Sequence, residues 1–294
     1  MKSGGASRTA VFVCQGRAVA DGLHAVGSFS DPIAARMLTE DELGPVRLAR
    51  SGRVPSGGRE RFLVEAVASC AEVVTPRTVL IDTALTAALD RAPGSQVVIL
   101  GAGLDARPWR LLALTGLSVL SVDHPASQAD AHRRTASLTS PVCELRFVPV
   151  DLSSEPLGPA LSAVGHDATG PTVWVWEGVI PYLTHVAVGA TIEALTRVSG
   201  SGSCLIANYQ APSLAASLGR RAVGLVTRMS GIESPLADEP WQSLWTQAGI
   251  AEIVTGHGWT VDSDQDLLEV ADRIGSPSRR RRSLAGGRVV VARR

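Results

Sequence analysis

The chain is poor in lysine, in tyrosine and phenylalanine, and in cysteine, and it has no long apolar run. Lysine occurs once, at Lys2, so nearly all of the 28 basic residues are arginine, set against 28 acidic ones. A formal net charge of zero argues against a nucleic-acid partner, which needs a clustered positive surface. The four cysteines, Cys14, Cys70, Cys143 and Cys204, form no CxxC pair and have no histidine at ligand spacing. That argues against a disulfide framework and against a metal site, and leaves them as packing residues. No run of eighteen apolar residues exists, so no membrane span is expected. The opening stretch MKSGGASRTAVFVCQGRAVADG lacks the apolar core and cleavage site of a secretory signal, and the expected location is cytoplasmic. Six histidines and two tyrosines leave few side chains that could serve as a base near neutral pH.

What the chain does have is apolar content: 45% hydrophobic against 19% charged residues over 294 positions, enough for a large core in one α/β unit. Residues 7–93 carry apolar side chains at helical spacing. One helix is expected over DPIAARMLTEDEL, with Ser30 or Asp31 as cap and Pro32 in the first turn, and another opening at Pro76 and stopping at Pro93-Gly94. Beyond Gly94 the period changes. QVVIL (96–100), LSVLSVD (117–123), LRFVPVD (145–151), TVWVWEG (172–178) and SCLIANYQ (203–210) read as buried strands separated by crossovers, which predicts a mostly parallel sheet with helices on both faces. A helix is expected within 239–258, strands over WTVDSD and GRVVVARR, and a solvated basic loop over SPSRRRRSLAGG (276–287). The chain reads as a single domain over 1–294: a helical part (7–93), a ligand-binding core (94–210), a lid or substrate region (211–257) and closing strands (258–294).

The first strand leads into VVILGAGLDARPWRL (97–111). Gly101, Gly103 and Ala106 satisfy G-x-G-x-x-G/A, and Asp123 ends the next strand twenty residues after Gly103. That pattern fits NAD, but a tight glycine turn and a ribose-binding acid fit S-adenosylmethionine as well. Three features favour the latter. Asp151 ends the third strand, where a carboxylate can accept from an adenine amino group. Glu177-Gly178 ends the fourth, at the ligand-binding edge. The chain shows no second mononucleotide half. This is the plan of a Rossmann-like class I methyltransferase.

The chain resembles the leucine carboxyl methyltransferase family in its bacterial branch, which includes natural-product and polyketide O-methyltransferases. The resemblance rests on FSDPIAARML (29–38), TPRTVLIDTAL (75–85), VVILGAGLDARPWRL, VDHPASQ (122–128), VPVDL (148–152) and VWEGVIPYLT (175–184), in family order. It implies a seven-stranded sheet, an N-terminal helical extension, a lid insertion after the fifth strand, and S-adenosylmethionine as cofactor with S-adenosylhomocysteine as product. It also implies that Arg77 holds the cofactor's carboxylate, Gly101 and Gly103 bring backbone to its methionine part, and Asp123 holds the ribose. Asp151 and Leu152 would meet the adenine, with His124 stacking nearby or serving as a base. Glu177 would sit by the amino group and Tyr182 would orient the acceptor. Asp105 could bind the ammonium or cap the following helix. The implied activity is methylation of a carboxylate or phenolic hydroxyl on a small molecule, by a monomer or homodimer. The alternatives are a methyltransferase-like binding protein without turnover and an NAD(P)-linked oxidoreductase.

Overall fold

The structure is a computed structural model that describes residues 7–152, 154–212 and 241–294. It opens with three helices, α1 (Arg8–Ala20), α2 (Glu40–Ser51) and α3 (Gly58–Arg91). There follow β1 (Gln96–Leu100), α4 (Arg107–Arg110), β2 (Ser118–Asp123), α5 (Pro125–Thr135), β3 (Glu144–Pro149) and α6 (Leu157–Ala163). Next come β4 (Thr172–Trp176), α7 (His185–Arg197) and β5 (Cys204–Gln210). The chain closes with α8 (Gln247–Gly256), β6 (Thr260–Asp266), α9 (Leu267–Arg273), α10 (Arg281–Gly286) and β7 (Gly287–Arg293).

The seven strands lie in the order β3-β2-β1-β4-β5-β7-β6, and β7 alone runs antiparallel to its neighbours. Strand side chains alternate between faces. Val98, Leu100, Leu120, Val122, Trp174 and Trp176 pack with α6, α7 and α8, whereas Val97, Ile99, Val119, Val173 and Val175 pack with α3 and α9. Both faces are therefore covered, which is why these strands read as continuous apolar runs. Strand order reverses at β1, which lies between β2 and β4. The carboxyl ends of β1 and β4 diverge there and open the crevice in which such sheets bind ligands. The N-terminal helices cover one side of that crevice: Cys14, Ala18, Met37 and Val67 form one apolar cluster with Leu104 and Ala106 of the turn after β1 and with Ala131 of α5. Among the described residues no helix is long and apolar enough to cross a membrane.

Four expectations about local structure are corrected. No long helix starts at Asp31; that residue turns inward toward Arg17, accepts from Ala34 N, and opens only a short 3-10 turn over Ala34–Met37. Helix α2 waits for Thr39, whose hydroxyl accepts from Glu42 N while the Glu42 carboxylate accepts from Thr39 N, a reciprocal capping box. Pro76 does not open a helix but lies inside the 34-residue α3, where its missing N–H leaves the ladder one bond short. Residues 241–246 are not helical; Thr246 caps α8 at Gln247. The basic segment is not a plain solvated loop, because α10 forms within it, Arg280 pairs with Glu65 and Arg281 with Asp272. The lid expected over 211–257 falls largely on residues 213–240, outside those described.

Candidate active site

The turn after β1 is built on glycine for reasons the geometry makes explicit. Gly101 and Gly103 have φ of +61° and +52°, which an L side chain resists. A Cβ at Gly101 would lie 2.3 Å from Val179 Cγ2, and one at Gly103 would lie 2.8 Å from Ala10 Cβ. The loop after β4 and helix α1 thus press on the turn from two sides. At the end of β2, Asp123 Oδ2 accepts from Gly103 N at 2.6 Å and Oδ1 accepts from His124 N at 2.7 Å. Burial pushes the Asp123 carboxyl above its ordinary value, and these two amide bonds oppose the shift only in part. His124 Nδ1 accepts from Ala126 N and so caps α5. Beyond β3, Asp151 lies in a turn in which its amide donates to Glu155 Oε2 at 2.9 Å, and Leu152 exposes its side chain.

A cluster of buried charge faces this turn from the end of β4. Glu177 Oε1 accepts from Arg77 Nε at 2.7 Å and Oε2 accepts from Arg107 Nη2 at 2.7 Å. Arg107, 1% exposed, also donates through Nε to Asp82 Oδ1 at 2.6 Å and through Nη1 to Asp105 Oδ2 at 2.5 Å. Arg110 completes the pairing of Asp82 at 2.6 Å. Arg17 of α1 lies 3.0 Å from Asp31 and donates to the carbonyl of Leu104. Burial alone would raise the Glu177 carboxyl, but the guanidiniums of Arg77, Arg107 and Arg17 outweigh it and hold the group well below the usual carboxylate range. Glu177 is a fixed anion, and Gly178, with φ of +70°, turns the chain away from it.

The structure therefore gathers Arg77, Gly101, Gly103, Asp105, Asp123 and Glu177 at the carboxyl ends of β1, β2 and β4. Asp105 Oδ1 accepts from Arg107 N at 2.8 Å just ahead of α4, whose N-cap position is Ala106, with no side-chain cap bond. Tyr182 ends a 3-10 turn, Ile180–Tyr182, and its carbonyl accepts from Gln242 Nε2, which brings residues 241–245 against the same edge. Sequence reasoning missed Arg107, Arg110, Arg17 and Asp82. A signal existed for Asp82, a carboxylate in the apolar stretch TVLIDTAL, which requires a cationic partner when packed. The residues fit a cofactor with an adenosine and an amino-acid end: Asp123 closes β2 against the glycine turn, and the Arg77–Glu177 pair sets a cation beside an anion, the charges of a zwitterion.

The sheet order, the glycine turn after β1 and the acids at the strand ends have the plan of the class I methyltransferase fold. The antiparallel β7 sets its sheet apart from the dinucleotide-binding order of an NAD(P) enzyme. The chain belongs to the leucine carboxyl methyltransferase family, whose profile matches residues 10–196. A relative from Frankia alni, named as a candidate S-adenosyl-L-methionine-dependent methyltransferase, is 36% identical over 60% of this chain and 59% of its own. One from Streptomyces coelicolor with the same description is 40% identical over 44% of this chain, so the match spans less than half of that relative's length (43%). Another, from Streptomyces avermitilis, is 32% identical over 90% of this chain and 88% of its own. In fold, the chain resembles a DUF574 family protein of Streptomyces avermitilis, at a TM-score of 0.56 and 16% identity over 96% of both chains. It also resembles magnesium protoporphyrin IX methyltransferase from Synechocystis PCC 6803, solved with bound SAH, at a TM-score of 0.51 and 15% identity over 88% of this chain and 99% of that one.

Proposed function

We propose that this protein transfers a methyl group from S-adenosylmethionine to an oxygen of a small-molecule acceptor, with a carboxylate favoured over a phenol. The cofactor, when bound, supplies an electrophilic methyl on a sulfonium. The chain's part is to hold and align. Asp123 accepts from the ribose hydroxyls, Asp151 and Leu152 meet the adenine with His124 alongside, and Gly101 and Gly103 let backbone approach. Arg77 takes the carboxylate of the amino-acid end and Glu177 its ammonium. Tyr182, at the edge where residues 241–245 return, orients the acceptor. An acceptor of secondary-metabolite or polyketide type agrees with the bacterial branch that the sequence resembles.

The observation that carries the choice of acceptor is the placement of the groups that could act as a base. His124 Nδ1 is used in capping α5. His132 packs on Phe147, and His166 bonds Thr172. His185 lies against Trp245 and the carbonyl of Leu244, and His257 bonds the carbonyl of Ile253. His24 is half-buried near Glu72, and burial lowers its pKa. Tyr209 donates to Asp264. Residues 213–240 contain no histidine, tyrosine or cysteine. A carboxylate acceptor is ionised at neutral pH and requires no base, whereas a phenol, with a pKa of about 10, does.

The test is a screen of small carboxylic acids and phenols with isotopically labelled cofactor and mass spectrometry. The expected product is an ester that alkali hydrolyses, formed at a rate that stays flat from neutral to mildly alkaline pH. An alkali-stable ether formed at a rate climbing toward the phenol pKa contradicts the carboxylate reading. Cofactor binding without transfer to any acceptor favours a binding protein without turnover.

A further inference from the structure

We propose that Arg107 is a positioning residue for the cofactor: it keeps Glu177 ionised and aimed when Arg77 is shared with the cofactor's carboxylate. The inference rests on the reading of this crevice as the S-adenosylmethionine site, and it concerns a residue outside the roles assigned above.

In the structure the two oxygens of Glu177 have separate cationic partners, Arg77 from α3 on Oε1 and Arg107 from α4 on Oε2. The amino-acid end of the cofactor is a zwitterion. Arg77 donates to Glu177 through Nε only, so its Nη groups would take the cofactor's carboxylate while Glu177 Oε1 would be shared with the ammonium. Glu177 would then have to attract the ammonium while its hold on Arg77 is shared and its side chain is only 9% exposed, which it can do only as an anion. A buried carboxylate stripped of its cations binds a proton, and a protonated carboxyl no longer attracts an ammonium. Arg107 prevents this because it has nowhere else to go. Its Nε is held by Asp82 of α3 and its Nη1 by Asp105 of the turn after β1, which also accepts from its backbone amide, so two side-chain bonds fix Nη2 on Glu177 Oε2. The other arginines act on Glu177 from a distance: Arg17 adds to the field that keeps it ionised but is engaged by Asp31 and the carbonyl of Leu104, and Arg110 by Asp82 and Asp31. Asp82, Asp105 and Asp31 are themselves anions and favour protonation of Glu177. Lysine at 107 could meet only part of this set, since a point charge cannot make the same planar fork to several carboxylates.

The test compares S-adenosylhomocysteine with 5′-methylthioadenosine, which shares the adenosine and the thioether but lacks the amino-acid end. Calorimetry measures both affinities between pH 5.5 and 7, and their ratio cancels any titration at Asp123. In the wild-type protein the ratio is expected to be constant. In Arg107→Lys it is expected to fall roughly tenfold toward pH 5.5 as Glu177 takes up a proton, and the double variant Arg107→Lys/Glu177→Gln is expected to lose that pH dependence. Equal loss of both ligands at all pH values would show a merely structural arginine and overturn the proposal. If Arg107→Lys does not fold, the wild-type protein decides. Binding of S-adenosylhomocysteine at pH 6 in buffers of different ionisation enthalpy is expected to involve no proton uptake, and uptake approaching one proton overturns the proposal. Binding of 5′-methylthioadenosine without preference for S-adenosylhomocysteine also overturns it, whereas wild-type binding of neither thioether overturns the cofactor reading on which it stands.

Discussion

Side chains that take part in this site are costly to bury and are tolerated because each charge has a partner. Four arginines, Arg17, Arg77, Arg107 and Arg110, meet four carboxylates, Asp31, Asp82, Asp105 and Glu177. Strand-end acids were legible in the sequence because Asp123, Asp151 and Glu177 each follow a short apolar run at a sheet edge. Their partners were not, because the pairs are remote in the chain: Arg77 and Glu177 are 100 residues apart, Arg107 and Glu177 are 70 apart, and no local period encodes either contact. Two expectations belong at this scale. Arg77→Lys keeps the charge but loses the two-pronged grip on a carboxylate, so affinity for S-adenosylmethionine should fall about tenfold or more, measured by calorimetry; full affinity would show that Arg77 supplies diffuse charge only. The ribose contact proposed for Asp123 is strongest when the carboxyl is ionised. Because its pKa is raised in the folded protein, affinity is complete above that value and is lost as pH falls through it, at a pH higher than an ordinary aspartate would give. Calorimetry down the acid range should show that limb in the wild type and not in Asp123→Asn.

Elements divide into those that a single period defines and those that depend on one cap. Strands β1, β2, β4 and β5 were legible because burial on both faces leaves a largely apolar run, whereas β3, expected to be buried, lies at the sheet edge with Glu144, Arg146 and Pro149 exposed. Helix starts were harder. Asp31 has the chemistry of a cap yet is drawn inward toward Arg17, and the true start at Thr39 depends on a reciprocal bond with Glu42. The fit of α1 against the glycine turn could not be read at all, since the meeting of Ala10 and Gly103 is a tertiary contact. It can be tested by a double-mutant cycle. Gly103→Ala brings both left-handed strain and a clash with Ala10 Cβ, and should destabilise the fold by about 1–3 kcal/mol. Ala10→Gly should remove the clash and leave the strain, so denaturant unfolding is expected to show a favourable coupling between the two sites. Strict additivity would mean that α1 does not press on the turn.

At the scale of the whole molecule, one sheet with a reversed strand order, an N-terminal helical cover and an antiparallel β7 places every proposed cofactor contact at the same edge. The central claim is that this edge binds S-adenosylmethionine and not a nicotinamide dinucleotide. Thermal unfolding of the full chain with saturating S-adenosylhomocysteine, and separately with NAD, tests it most directly. A ligand at a hundred times its Kd stabilises the native state by about 2.7 kcal/mol. For a chain of this size that corresponds to a rise in Tm of roughly 4 °C. The expected result is such a rise with S-adenosylhomocysteine and none with NAD; a rise with NAD and none with S-adenosylhomocysteine would contradict the account.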